Sequence, residues 1–345
     1  MSTQPKHPDD NLMERFDRAG ARRFSARDAV VSMFIAAAIL VVCAGASIRK
    51  AGHATRSGIG RTAVLAVGYP AGWIADRLPA HHAAHVLTAW LSPDINLSGP
   101  GFSQPVSLTT TGAGGVPEVT PDAFAAGDLG LPPPPKRPLH HLLVTGDSMS
   151  QPLDQNLAQQ LTPQGLTVTR DPHIGTAISN TVLVDWGKLA RHQVAQYHPD
   201  AVVVFIGAND GYSMPGPSGK QVNCCSAAWA SAYANRVREM MNTYRQNGVA
   251  RVYWLTLPTP RDSARAKIAR VVNAAVEVAA QPWRDQVRVI DTVPIFTPGE
   301  RYRDSMTVDG QPTIVRQSDG IHLNGAGASL AATIVLDSID QDFTR

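Results

Sequence analysis

Apolar residues fall along this chain in two regimes. Ala29 to Ile48 runs for 20 residues without a charge and is closed by Arg49 and Lys50, the length a helix needs to cross a bilayer. Beyond Leu139 the apolar runs are short and alternate with segments of helical period. The pattern predicts strands at Leu139–Val144, Leu166–Arg170, Ala201–Ile206, Val249–Thr256 and Val287–Ile290. It predicts helices at Leu153–Leu161, Trp186–Tyr197, Ala227–Gln246, Arg261–Ala280 and Gly325–Asp340. Short apolar strands alternating with helices imply an α/β domain, a five-stranded parallel sheet covered by helices on both faces. Ala201–Ile206 is apolar throughout, as a central parallel strand should be. One hairpin stands apart, where Asp309-Gly310 separates Met306-Thr307-Val308 from Thr313-Ile314-Val315.

These regimes set the domain boundaries. Residues 1–28 form a polar tail, and residues 29–48 a transmembrane signal anchor. The anchor is longer and further from the start than a cleavable signal's apolar region. Residues 49–97 carry a weaker apolar pattern broken by Gly68, Pro70 and Pro79, which suits short juxtamembrane helices. His81 and His85 share a helical face there, but no acid or cysteine lies beside them to complete a metal site. Residues 98–138 are rich in Gly, Pro, Thr and Ser and end in Pro132–Pro135, a semi-rigid linker. Residues 139–345 are the folded domain. Arginines precede the apolar span more densely than they follow it, which favours a cytoplasmic N-terminus. The expectation is a single-pass protein of the inner (cytoplasmic) membrane whose main domain lies outside the cytoplasm. A reporter active only outside the cytoplasm, fused after residue 345, would stay silent if this orientation were wrong.

Composition narrows the function classes. The chain is 43% hydrophobic and 17% charged, with a net charge of +3, enough to build a core and too little to suggest nucleic acid, for which no basic stripe is present. Three cysteines, at 43, 224 and 225, show no metal-ligand spacing. Cys224 and Cys225 are read as two thiols in a loop rather than a vicinal disulfide. Trp186, Tyr212, Trp229 and Trp254 are candidates to line a sugar site, with core packing the favoured role for most of them, and the loop 211–226 is read as a lid that shapes specificity.

Four blocks fall where strands end or the last helix begins. They are Gly146-Asp147-Ser148, Gly175, Gly207-Ala208-Asn209-Asp210 and Asp319-Gly320-Ile321-His322. Loops that follow parallel strands gather on one sheet edge, so these blocks can converge. A serine hydroxyl needs a base within reach, and His322 supplies one. Asp319, three residues earlier, can hold the imidazole in one tautomer. The Ser148 and Gly175 backbone N–H groups and the Asn209 amide can form an oxyanion hole. Asp147 and Asp210 are assigned to substrate binding.

In this order the blocks resemble those of the SGNH (GDSL-type) hydrolases. The resemblance covers about residues 139–341, with Met149 and Ser150 as the departure after the serine. It implies a flavodoxin-like three-layer α/β/α sandwich and catalysis without cofactor or metal. It also implies the activity of an esterase, lipase, carbohydrate deacetylase or acyltransferase. The expectation is therefore a serine esterase acting on an acyl ester, with an acylated carbohydrate of the cell envelope as substrate. The alternatives are an O-acyltransferase, which would need a multispan membrane partner to deliver its acyl donor, and a non-catalytic fold that binds glycan or protein.

Overall fold

The computed structural model describes Val31, Met33, Ala66, Tyr69, Pro70, residues 97–103, and residues 119–345 except Pro217. The first five are helical. The expected span at 29–48 and the juxtamembrane segment lie essentially outside the described residues. Among those described, no helix is long and apolar enough to cross a membrane. The fold below belongs to the compact unit Thr88–Arg345.

Five parallel strands build its centre: β1 (His141–Gly146), β2 (Thr167–Pro172), β3 (Ala201–Phe205), β4 (Arg251–Leu255) and β5 (Val287–Ile290). They lie in the order β2-β1-β3-β4-β5, the flavodoxin-like order, with its switch point between β1 and β3. Five helices connect or flank them: α1 (Ser150–Leu161), α2 (Trp186–Tyr197), α3 (Ala227–Tyr244), α4 (Ser263–Ala280) and α5 (Gly325–Asp342). Leu142, Leu143, Val144 and the whole of β3 are fully buried. Each such Leu, Val or Phe side chain contributes roughly 1.5–3 kcal/mol by leaving water.

Element types match the sequence pattern, and the ends move for local reasons. β1 begins two residues late and runs on to Gly146. Its start is set by Asp200, whose Oδ2 accepts from His140 N and His141 N, while Leu139 N turns away to Thr344 O. α4 starts at Ser263 because the Asp262 carboxylate caps Arg265 N at 2.9 Å. α3 ends at Tyr244, ahead of Gln246 and Asn247, which take positive φ. The predicted hairpin pairs Ser305–Val308 with Gln311–Ile314. The stretch assigned to the linker is partly docked. Phe102 is fully buried, and its N–H donates to Asp185 Oδ1 at 2.9 Å. The ring fits because position 187 is glycine; a Cβ there would sit 2.8 Å from the ring.

Gly146, the last residue of β1, sets how closely the nucleophilic edge approaches β3. Its φ is +146° and a Cβ would lie 2.0 Å from the Phe205 carbonyl oxygen. The obstruction is backbone in a central strand and cannot give way. Gly146→Ala is expected to destabilise the domain by about 3 kcal/mol or more, read as a lower midpoint in denaturant.

Candidate active site

The switch point brings the blocks together. Ser148 leaves the end of β1, and Gly207–Asp210 leaves the end of its neighbour β3. Gly175 lies in the loop after β2, on β1's other side, and His173 N donates to Gly146 O at 2.8 Å. The Asp319–His322 loop enters from beyond the sheet, just before α5, whose first turn is capped by Asn324 on Gly327 N.

At the centre, Ser148 Oγ lies 2.7 Å from His322 Nε2, and His322 Nδ1 lies 2.5 Å from Asp319 Oδ2. A carboxylate on Nδ1 holds the proton there and leaves Nε2 to accept from the serine hydroxyl. Asp319 Oδ1 accepts from Ile321 N and His322 N at 2.8 and 3.1 Å, so the acid braces its own loop as well as the ring. Partial burial alone would raise the Asp319 pKa. The hydrogen bonds from the His322 ring and the two backbone N–H groups outweigh it and hold the carboxyl below its usual range.

The donors expected around the serine keep at least one N–H each without a protein acceptor. Asn209 Nδ2 gives one hydrogen to Thr176 O at 3.2 Å and keeps its second. Neither Ser148 N–H nor Gly175 N–H donates to a protein group among the described residues. Gly175 itself is exposed with φ +78°. Its loop is held by Thr176, whose hydroxyl donates to His173 O and accepts from Trp186 Nε1.

Asp147 and Asp210 are placed differently from the sequence assignment. Both are buried and engaged by protein donors, Asp147 by backbone N–H groups and Asp210 by backbone and the Tyr233 hydroxyl, so neither is available to a substrate. Asp147 Oδ1 accepts from Met149 N, and its Oδ2 from Gly207 N and Ala208 N, at 2.9–3.0 Å. It ties the serine turn to the loop that carries Asn209. Asp210 accepts from Ser179 N, Ile178 N and Tyr233 Oη, joining that loop to residues 178–179. Adjacent position in sequence suggested contact with substrate, but buried N–H groups claim these oxygens first.

Burial pushes the Asp147 pKa from 3.8 up to about 6, against the opposing hydrogen bonds from Met149, Gly207 and Ala208. The folded state therefore holds this proton more tightly than the unfolded chain. Stability from this group is full below about pH 4 and is lost as pH rises through about 6, on the order of 3 kcal/mol in all. Asp147→Asn should flatten that stretch of the stability–pH curve. At neutral pH the hydrogen bonds an amide cannot accept, about 1–3 kcal/mol, are offset by removal of the buried charge, so stability there should change little. Denaturant titrations of both proteins between pH 4 and 7 check the two effects.

The loop after Asp210 is a small hairpin, Met214–Pro215 against Gln221–Val222, tied by Trp229 Nε1 to Tyr212 O at 2.8 Å. Cys224 and Cys225 are joined in a disulfide across a cis peptide, which corrects their reading as separate thiols. Trp186, Trp229 and Trp254 are core, whereas Tyr212 is 47% exposed. Among the described residues, no group of three or more His, Cys, Asp or Glu side chains could hold a metal ion.

Three residues that no motif singled out also frame the site. Arg261 and Arg316 bind the loop that carries Asp319 and His322, and Tyr302 packs against both arginines. Arg261 reaches the loop carbonyls from 57 residues away, Arg316 from its own flank, and Tyr302 touches the two arginines; backbone carbonyls are acceptors at every residue, so no motif announces them.

The model of the family described as "Protein of unknown function (DUF459)" matches residues 141–338, more than half of the chain. The chain belongs to that SGNH-like family. No curated protein matches it. Among solved structures it is similar to a lipase/acylhydrolase from Enterococcus faecalis, at 17% identity over 58% of this chain and 95% of that one, with a TM-score of 0.37. It is also similar to a member of the lipolytic G-D-S-L family from Veillonella parvula, at 13% identity over 57% and 97%, TM-score 0.40. A third likeness is to the C-terminal catalytic domain of peptidoglycan O-acetyltransferase A from Streptococcus pneumoniae, at 14% identity over 59% and 94%, TM-score 0.34.

Proposed function

We propose that this member of the DUF459 family is a serine acyl-ester hydrolase working through an acyl-Ser148 intermediate. The single observation that carries the reading is the continuous Ser148 Oγ–His322 Nε2–Asp319 Oδ2 relay, with links of 2.7 and 2.5 Å. Ser148 Oγ attacks the ester carbonyl while its proton passes to His322 Nε2. The carbonyl oxygen gains the charge, and the Ser148 N–H, Gly175 N–H and Asn209 Nδ2–H are the donors for it. The tetrahedral adduct collapses, the C–O bond to the leaving alcohol breaks, and His322 returns the proton to that oxygen. Water then repeats the sequence on the acyl-serine: His322 takes its proton, the acid is released and Ser148 is restored. Asp319, ionised throughout, stabilises the imidazolium in each half. A binding module has no use for an activated hydroxyl beside two uncommitted N–H donors, which weighs against the non-catalytic alternative.

The finer reading is an O-acetyl or similar small acyl ester on a cell-envelope glycan, cleaved outside the cytoplasm by a domain tethered through residues 29–48. Its support is the uncharged apolar run and the Pro-rich segment that follows it. An acceptor hydroxyl entering in place of water would turn the same intermediate to acyl transfer, for which a multispan partner would have to deliver the donor. The full-length chain incubated with O-acetylated envelope glycan should release free acetate at a rate that Ser148→Ala abolishes. Acetate retained on an added glycan acceptor would mark the transferase instead, and no turnover of any acyl ester would overturn the reading.

A further inference from the structure

The loop Gln317–His322 presents both the base and its acid, yet it has no secondary structure of its own beyond turns. It is held from outside by two arginines and a tyrosine. Arg316, 2% exposed, donates from Nη2 to Ile321 O at 2.8 Å and to Gly320 O at 3.4 Å. Arg261 donates from Nη1 to Ser318 O at 3.1 Å, and its backbone N–H donates to Gly320 O at 2.9 Å. The carbonyls on both sides of Asp319, and the one preceding His322, are therefore all occupied by these two residues.

Tyr302 joins them. The Arg261 and Arg316 guanidinium carbons lie 4.9 and 5.3 Å from the centroid of its ring, and Arg261 Nη2 donates to its hydroxyl at 2.9 Å. Gly320 lets the arginine close in. Its φ is +74°, and a Cβ there would stand 2.7 Å from Arg261 Cβ.

The energetics say that Arg316 is not kept for stability alone. Among the described residues no carboxylate lies within ion-pair distance of it, and its Nε and Nη1 have no hydrogen-bond partner. A buried guanidinium with no carboxylate in contact is expensive, the charge of Asp319 only partly offsets that cost, and an apolar side chain of similar length would fill the space at less cost. What the fork supplies and an apolar chain cannot is directed N–H bonds onto the loop carbonyls.

We infer that Arg261, Tyr302 and Arg316 are positioning residues that fix the Asp319–His322 loop at the distance its relay to Ser148 requires. The inference rests on the hydrolase reading above. A shift of about 1 Å in a catalytic group costs on the order of 10²-fold in rate, so loosening the clamp should act on turnover and leave substrate affinity alone.

The test measures full-length Arg261→Ala, Tyr302→Leu, Arg316→Met and Arg316→Lys against wild type on nitrophenyl acetate. Thermal midpoints are recorded alongside, together with the far-downfield proton resonance of the His322–Asp319 hydrogen bond. Expected are kcat losses of about tenfold for Arg261→Ala and on the order of 10²-fold for Arg316→Met. KM should stay within about twofold, Arg316→Lys should recover part of the loss, and the resonance should broaden in step with kcat. Should Arg316→Met fail to fold, the exposed Arg261 and the half-buried Tyr302 carry the test. Folded Arg261→Ala and Tyr302→Leu variants with wild-type kcat and an unchanged resonance would overturn the clamp while leaving the hydrolase standing. A wild-type chain inert on the ester, with Ser148 unreactive, would overturn both.

Discussion

Ser148→Ala is expected to lower kcat/KM on an aryl acetate by a factor on the order of 10⁴ to 10⁶, with the thermal midpoint unchanged within a degree or so. The size follows from what is removed. Ser148 Oγ is the atom that would bond to the acyl carbon, and no other hydroxyl lies against His322 Nε2 among the described residues. The fold should not notice, because the hydroxyl's partner is His322, at the surface of the sheet edge rather than inside the core. His322→Ala should cost about as much as Ser148→Ala, and the double variant little more, since residues acting as one unit do not add. Steady-state kinetics on the three proteins checks both the magnitude and the non-additivity.

Asp319→Asn should produce the next largest loss, about 10⁴-fold in kcat at neutral pH. An amide at this position can offer its nitrogen to His322 Nδ1, which then becomes the acceptor and moves the ring proton to Nε2. The base would face Ser148 with its proton already in place. The loop itself should survive, because an Asn oxygen can still accept from Ile321 N and His322 N as Asp319 Oδ1 does. The Asp319 carboxyl is held below its usual range, so ordinary working pH leaves it ionised in the wild type and its titration should not appear in the neutral pH–rate profile. A loss in kcat with unchanged KM and midpoint would match this reading; a mainly unfolded variant would point to a structural role for Asp319.

Much of the fold was legible because the parallel sheet writes itself plainly. β3 is apolar at every position since both its faces are covered, and each helix announces its buried side by period. Of the candidate site, Ser148, Asn209, Asp319 and His322 stood out because each follows a strand or precedes a helix in a short polar block. What stayed hidden depends on partners far away in sequence. Asp147 and Asp210 look like substrate ligands until the N–H groups of residues 207–208 and 178–179 are seen to occupy them. Phe102 sits in a stretch whose composition reads as spacer, and only the gap opened by Gly187 reveals why it docks. Whether the adjacent Cys224 and Cys225 are joined is not encoded in composition. The arginine clamp acts through carbonyls, which every residue has, and so carries no motif.

The central claim is that Ser148 is an activated nucleophile, and covalent labelling tests it without knowledge of the natural substrate. Full-length protein treated with a fluorophosphonate should gain one adduct, mapped by peptide mass spectrometry to Ser148. The adduct should be absent in Ser148→Ala and slowed strongly in His322→Ala. A wild-type chain that stays unmodified while folded, or carries its adduct on another residue, would contradict the account.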